Sequence, residues 1–195
     1  MGLGQLFCQL ATVFDGDLDI ERNAAAALVQ AAPRARDGSK SARLPSAVRD
    51  VLLAPDAHPV CSLIAEHRFD WAPPTTSDDP LFVEHSLPKV HVELLGPGGL
   101  VHSSKVRLGL YGMLPEHEYG LRTHPAEEVF VMLAGQVFWR RGDNPYVAEG
   151  PGGRSYHPSM LPHSNKTGEL AFMSVYVWQG DIDTGKYDYQ GIPDP

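Results

Sequence analysis

The chain has 195 residues, 43% of them hydrophobic and 21% charged, with 24 acidic against 16 basic side chains and a net charge of −8. That length suits one domain with a modest extension. The acidic balance argues against nucleic acid or an anionic membrane surface as partner, since both require basic patches.

Along residues 1–75 the pattern is helical. Leu3, Leu6, Phe7, Leu10, Val13 and Phe14 recur at spacings of three and four, an amphipathic stripe. DLDIERNAAAALVQAAP opens with acids, continues with good helix formers and stops at Pro33. RARDGSKSAR reads as a polar loop, and PSAVRDVLLAP and HPVCSLIAEHRF as two short helices separated by Pro55. These helices are expected to pack on the rest of the chain, covering a sheet edge or forming the contact of a homodimer.

WAPPTTSDDP, residues 71–80, is Pro-rich and polar, a connector rather than an element, and residues 76–88 are read as the linker to the next unit. From Lys89 the period changes to two. KVHVELL alternates, LVHSSKVRLGLYGML continues as strand, and EVFVMLAG and QVFWRR flank Gly135 in the manner of a hairpin. ELAFMSVYVWQ is the last strong strand. Short strands at regular intervals over residues 89–180 predict a sandwich or small barrel with a usable interior. Residues 181–195 form an acidic, turn-rich tail expected to lie on the surface.

The two cysteines, Cys8 and Cys61, are far apart and carry no metal-pair or disulfide spacing, so a reducing compartment is expected. The N-terminal residues lack the features of a secretory or lipidation signal, and no apolar run approaches the roughly 20 residues of a membrane span. A cytoplasmic protein is the expectation. Phosphate-cradling loops, nucleophile elbows and zinc-type cysteine pairs are absent from the sequence.

Within LRTHPAEEVFVMLAG, His124 is followed after three residues by Glu128, and after six more by Gly135. A strand that only built a core has no use for such a pair. Further on, GGRSYHPSMLPHS sets Gly152, Pro158 and His163 at intervals of five and four intervening residues, and antiparallel strands could bring His163 opposite Glu128 inside a barrel.

These two motifs, in this order and spacing, resemble the signatures of the cupins, over roughly residues 85–180. The resemblance implies a mainly β fold, a double-stranded β-helix (jelly-roll) barrel with a helical N-terminal segment, and one divalent transition metal on His124, Glu128 and His163, whose two imidazoles and carboxylate make an open facial triad that accepts Fe(II), Mn, Ni or Zn. Arg122 stands where the first histidine of the family's His-x-His is expected, and Met160 where the second motif usually has glycine. More narrowly, PEHEYGLRTHPAEEVFVMLAG, PSMLPHS and VYVWQGDIDTGKY are similar to the cupin-type dimethylsulfoniopropionate lyases, which release dimethyl sulfide and acrylate by β-elimination. That likeness implies Tyr119 as the base, a small zwitterionic or carboxylate substrate, and Trp178 in an aromatic box for its cationic end, with Trp139, Tyr156 and Phe130 as further walls. Phe130 replaces a tyrosine of the lyases, and Arg122 is positioned to clamp a carboxylate. Ser159 reads as a supporting residue near His163. An Fe(II) dioxygenase or isomerase acting on a small carboxylate, and a small-ligand binder without activity, are the alternatives.

Overall fold

The computed structural model describes residues 2–192. The N-terminal layer contains α1 (Leu3–Ala11), α2 (Asp19–Ala31), α3 (Ser46–Leu52) and α4 (Val60–Glu66). Of the stripe expected in the first helix, Leu3, Leu6, Phe7 and Leu10 are buried along α1, while Val13 and Phe14, also buried, lie beyond the helix end at Ala11. Among the described residues no helix is long and apolar enough to cross a membrane.

Eleven strands follow: β1 (Lys89–Gly96), β2 (Val101–His102), β3 (Val106–Met113), β4 (Glu118–Thr123), β5 (Glu127–Gly135), β6 (Val137–Arg141), β7 (Val147–Glu149), β8 (Arg154–His157), β9 (His163–Lys166), β10 (Phe172–Gln179) and β11 (Asp188–Gly191). They form a six-stranded sheet, β2-β1-β3-β10-β5-β8, and a five-stranded sheet, β11-β4-β9-β6-β7. Together these are the two walls of a cupin barrel.

The six-stranded sheet is buried on both faces. Val129, Val131, Leu133, Val175 and Val177 pack on the helices, while Phe130, Met132, Tyr176 and Trp178 line the barrel interior. This is why β5 and β10 read as nearly continuous apolar runs rather than clean alternations. Each fully buried aliphatic side chain on the helix side contributes about 1.5–3 kcal/mol. The helices therefore cover a sheet face, not the sheet edge anticipated from sequence.

Three expectations are corrected. The hairpin at Gly135 does not form: β5 pairs with β10 and β8, whereas β6 pairs with β9 and β7. Gly135, at φ +70°, instead passes the chain from one sheet to the other, and a Cβ there would sit 1.9 Å from the Ala171 carbonyl oxygen. The 76–88 linker contains a helix, α5 (Pro80–Ser86), with Pro80 in its first turn and the Asp79 carboxylate accepting from the Leu81 and Phe82 amides. Its Phe82 is fully buried against Tyr119, Tyr187 and Tyr189. Finally, the 181–195 tail is not a surface appendage. β11 pairs with β4, and burying Tyr187 and Tyr189 against Phe82 gives the segment its reason to dock. Residues 193–195 of that tail, and Met1, lie outside the described residues.

Candidate metal centre and active-site pocket

His124 immediately follows β4, Glu128 is the second residue of β5, and His163 opens β9. The two sheets thus converge on one point. The three side chains are buried, and one ligand atom from each lies within 4.8 Å of the others. His163 pairs with Arg122 and Arg141 within its sheet and, as the sequence suggested, lies opposite Glu128 inside the barrel. It reaches Glu128 across the barrel, Nε2 to Oε2 at 3.3 Å, while His124 Nε2 is 3.5 Å from the same oxygen.

The donor chemistry fits a cation. His124 Nδ1 faces the Ala126 carbonyl at 3.0 Å and His163 Nδ1 the Leu161 carbonyl at 2.8 Å. A carbonyl only accepts, so each Nδ1 carries the proton and each Nε2 presents a lone pair. Among the described residues neither of these buried Nε2 atoms has a hydrogen-bond partner, and such atoms are rarely left orphaned without a purpose. Burial, reinforced by His157 and Arg122, holds the His163 imidazole well below its usual range and therefore neutral. Burial pushes the Glu128 carboxyl upward, but the surrounding histidines together outweigh it and keep the carboxylate ionised.

Glu128 is anchored on both oxygens. The Trp178 indole N–H donates to Oε1, and His157 Nδ1 donates to Oε2 at 2.8 Å. His157 Nε2 in turn accepts from Ser155 Oγ at 2.8 Å, and the ring stacks on His163 at 4.1 Å. Sequence reading passed over His157. Its signal was the strand register, which sets it directly opposite Glu128. The supporting serine is Ser155; Ser159 is exposed and away from the triad.

A cavity of about 140 Å³ opens beside Glu128, lined by Arg122, Tyr119, Tyr187, Trp178, Phe130 and Tyr176 among others. It is well below the roughly 300–1,000 Å³ of sites for drug-sized ligands, so its occupant is small. Arg122 is buried and, among the described residues, has no carboxylate partner: its guanidinium donates to Asn165 Oδ1 at 3.0 Å and more weakly to the Tyr119 and Gly120 carbonyls. Tyr119 hydrogen-bonds through its hydroxyl to Tyr187, a tail residue that the sequence did not single out. Burial and Tyr187 push the Tyr119 phenol well above its ordinary value, and Arg122, 3.9 Å from the ring centroid, opposes them.

Of the expected aromatic walls, Trp178 and Phe130 face the cavity. Trp139 is fully buried behind Phe130, 4.6 Å from it, and does not line the cavity. Tyr156 does not face it either. Pairing with Val129 puts it on the helix side of the sheet, where its hydroxyl donates to Glu127. The period of two along β8 decides this, since His157 takes the interior position. Met160, where the motif has glycine, adopts φ +62°, and its amide donates to the His124 carbonyl at 2.9 Å, so the turn keeps a glycine-like backbone without glycine.

Comparison with known proteins agrees with this geometry. The family model for dimethylsulfoniopropionate lyase matches residues 40–173. The dimethylsulfoniopropionate lyase DddQ of Ruegeria pomeroyi is 34% identical over 91 residues, 47% of this chain and 45% of that protein, so the match spans under half the length of this curated relative. The crystal structure of DddQ from Ruegeria pomeroyi DSS-3 superposes with a TM-score of 0.64 at 21% identity, covering 95% of this chain and 94% of that one. A chain from the crystal structures of the lyases RdDddP and RnDddQII gives 0.62 at 18% identity, covering 80% and 83%. The two superpositions show a shared fold, and the family model shows the lineage: this chain belongs to the dimethylsulfoniopropionate lyase family.

Proposed function

We propose that the protein is a metal-dependent lyase that cleaves dimethylsulfoniopropionate to dimethyl sulfide and acrylate. The observation that carries this reading is the pair of orphaned, buried Nε2 atoms beside Glu128, opening on a small cavity that pairs an unneutralised arginine with aromatic walls. His124, Glu128 and His163 would hold the ion, with Fe(II), Mn, Ni and Zn all suited to two imidazoles and a carboxylate. When bound, it supplies Lewis acidity for the charge that develops on the substrate carboxylate and lowers the pKa of nearby phenols.

The residues divide the remaining work. Arg122 binds and orients the carboxylate, its fork held by Asn165. Tyr119 is the base: its phenolate oxygen takes the proton from the carbon next to the carboxylate, the C–S bond breaks with both electrons going to sulfur, and acrylate and neutral dimethyl sulfide result. No acid is needed for the leaving group, because a sulfonium departs uncharged. Tyr187 donates a hydrogen bond to the Tyr119 oxygen while it is ionised, and Phe82 behind the pair keeps water away.

The test is dimethyl sulfide release, followed by gas chromatography, after stripping the protein and reloading it with each of the four metals. Release that is abolished in His163→Ala and reduced at least about a hundredfold in Tyr119→Phe supports the assignment. Stoichiometric metal binding with no release under any metal would sink it and redirect attention to another small carboxylate.

A further inference from the structure

Lys89 opens β1 and is fully buried, yet it is not among the residues that line the cavity. Among the described residues its amine has one hydrogen-bond partner, Ser86 Oγ at 3.0 Å, and no carboxylate. A buried amine without a counter-ion is unfavourable, and an apolar side chain would fill the same space without that penalty. What the amine does meet is the proposed base: Nζ lies 3.0 Å from the Tyr119 ring centroid.

The surroundings set the charge of both groups at rest. Burial, with Arg122 adding to it, lowers the Lys89 amine to about 5, so it is neutral at pH 7. Burial and Tyr187 hold the Tyr119 phenol protonated. Arg122 also lies over the Tyr119 ring, at 3.9 Å, and Tyr111 from β3 and Tyr189 from β11 pack beside it. From α5, Ser86 and Phe82 reach the amine, while His85 is bonded to the Tyr189 hydroxyl at 2.8 Å. On β3 the pairing partner of Lys89 is the apolar Met113. Of the groups against the Tyr119 ring, Lys89 alone is a base that becomes a cation by taking up a proton.

A phenol beside an amine and a phenolate beside an ammonium hold the same number of protons. Exchanging the first pair for the second ionises Tyr119 without changing the net charge of a buried site, where a lone new charge is strongly disfavoured. We propose that Lys89 takes up a proton as Tyr119 gives one up, so that an ammonium over the ring offsets the phenolate that acts as base. The inference rests on the lyase reading, and Lys89 acts through Tyr119 without touching substrate. The Tyr119 hydroxyl is bonded to Tyr187 and not to Nζ, so each group exchanges its proton with solvent. In sequence, the O–H bond of Tyr119 breaks and an N–H bond forms on Lys89; the phenolate then takes the substrate proton and is a phenol again. The ammonium, left beside a neutral ring and Arg122, returns its proton to solvent. Dimethyl sulfide and the acrylate anion together are one proton short of the zwitterion they come from, and this is that proton.

The test is the pH dependence of kcat/KM for dimethyl sulfide release, in wild type and Lys89→Met at equal metal content. An opposite charge close by changes a pKa by about 1–3, and contact with the ring places this pair at the upper end, so Lys89 holds its proton up to about pH 8 while Tyr119 is ionised. The phenolate fraction is then constant above the lysine's own titration, and the wild-type profile is flat between about pH 5.5 and 7. In Lys89→Met the phenol ionises only by losing its proton outright, so kcat/KM rises about tenfold per pH unit over that range. The variant is about a hundredfold slower at pH 6 and about tenfold at pH 7, and the two converge by about pH 9. Parallel profiles, or an equal loss at every pH, assign Lys89 to packing and overturn the inference while leaving the lyase reading intact. A wild-type profile that itself rises tenfold per unit overturns it too, and that result stands even where Lys89→Met does not fold. No release from wild type with any metal refutes both readings.

Discussion

Loading the triad should stabilise the fold by an amount the structure allows one to work out. His124 and His163 each aim an Nε2 lone pair at Glu128 Oε2, 3.5 and 3.3 Å away, an acceptor facing an acceptor in a buried space. An unsatisfied buried polar atom costs about 1–3 kcal/mol, so the pair costs roughly 2–6 kcal/mol until a cation lies among them. Free metal at a hundred times its dissociation constant adds about 2.7 kcal/mol of stability. In a chain of this size each kcal/mol moves the midpoint by about 2–4 °C, which gives a rise of roughly 5–11 °C. The assay is scanning calorimetry of chelator-stripped protein, with and without Zn(II) or Mn(II), in parallel with His163→Ala. The variant should lose most of the shift. An equal shift in the variant, or no shift in wild type despite stoichiometric binding, would refute the assignment of these atoms as ligands.

The turn at Met160 offers a second measurement: removing the left-handed strain should outweigh the added unfolded-state entropy, so Met160→Gly gains about 0.5–1 kcal/mol in urea unfolding, and a loss would contradict the backbone assignment. Gly135→Ala should cost about 2–5 kcal/mol, the sum of a left-handed alanine and a Cβ forced against the Ala171 main chain; a cost under about 1 kcal/mol in the same assay would mean that β5 and β6 join differently. Lys89 gives a pH dependence. Burial, with Arg122 adding to it, lowers its amine to about 5, whereas an unfolded lysine titrates near pH ~10.4. Between these values the unfolded chain holds a proton that the folded chain lacks, so stability should rise with pH. The slope relative to Lys89→Met is about 1.4 kcal/mol per pH unit from pH 6 to 9. Parallel stability curves for the two proteins over that range would show that Lys89 is charged in the fold.

The His124, Glu128 and His163 cluster was legible because its residue types are wrong for plain core strands and fall at the spacings of two known motifs. What escaped was decided by distant partners. A glycine with positive φ after a strand looks the same whether the flanking strands pair or part. At Gly135 the choice was made by β10 and β9, which outcompete a hairpin for β5 and β6. His157 and Tyr156 are adjacent, and only register against Glu128 and Val129 says which one faces the interior. Tyr187 sits in a stretch whose acids and glycines suggest solvent, yet three aromatic neighbours outweigh that composition.

Strand β5 carries two messages written in alternate letters. Val129, Val131 and Leu133 speak to the helices, while Glu128 and Phe130 face the cavity and Met132 the barrel interior beyond it. The two sets are interleaved but scarcely in contact, so variation in one is insulated from the other. A population of descendants drifting through substitutions at interior positions can explore new ligands while the valine face keeps the fold above its threshold. Insertion or deletion of a single residue enjoys no such insulation. It would present the carboxylate to the helices and the valines to the metal, and so the strand tolerates rewriting of its words but not a shift of its frame.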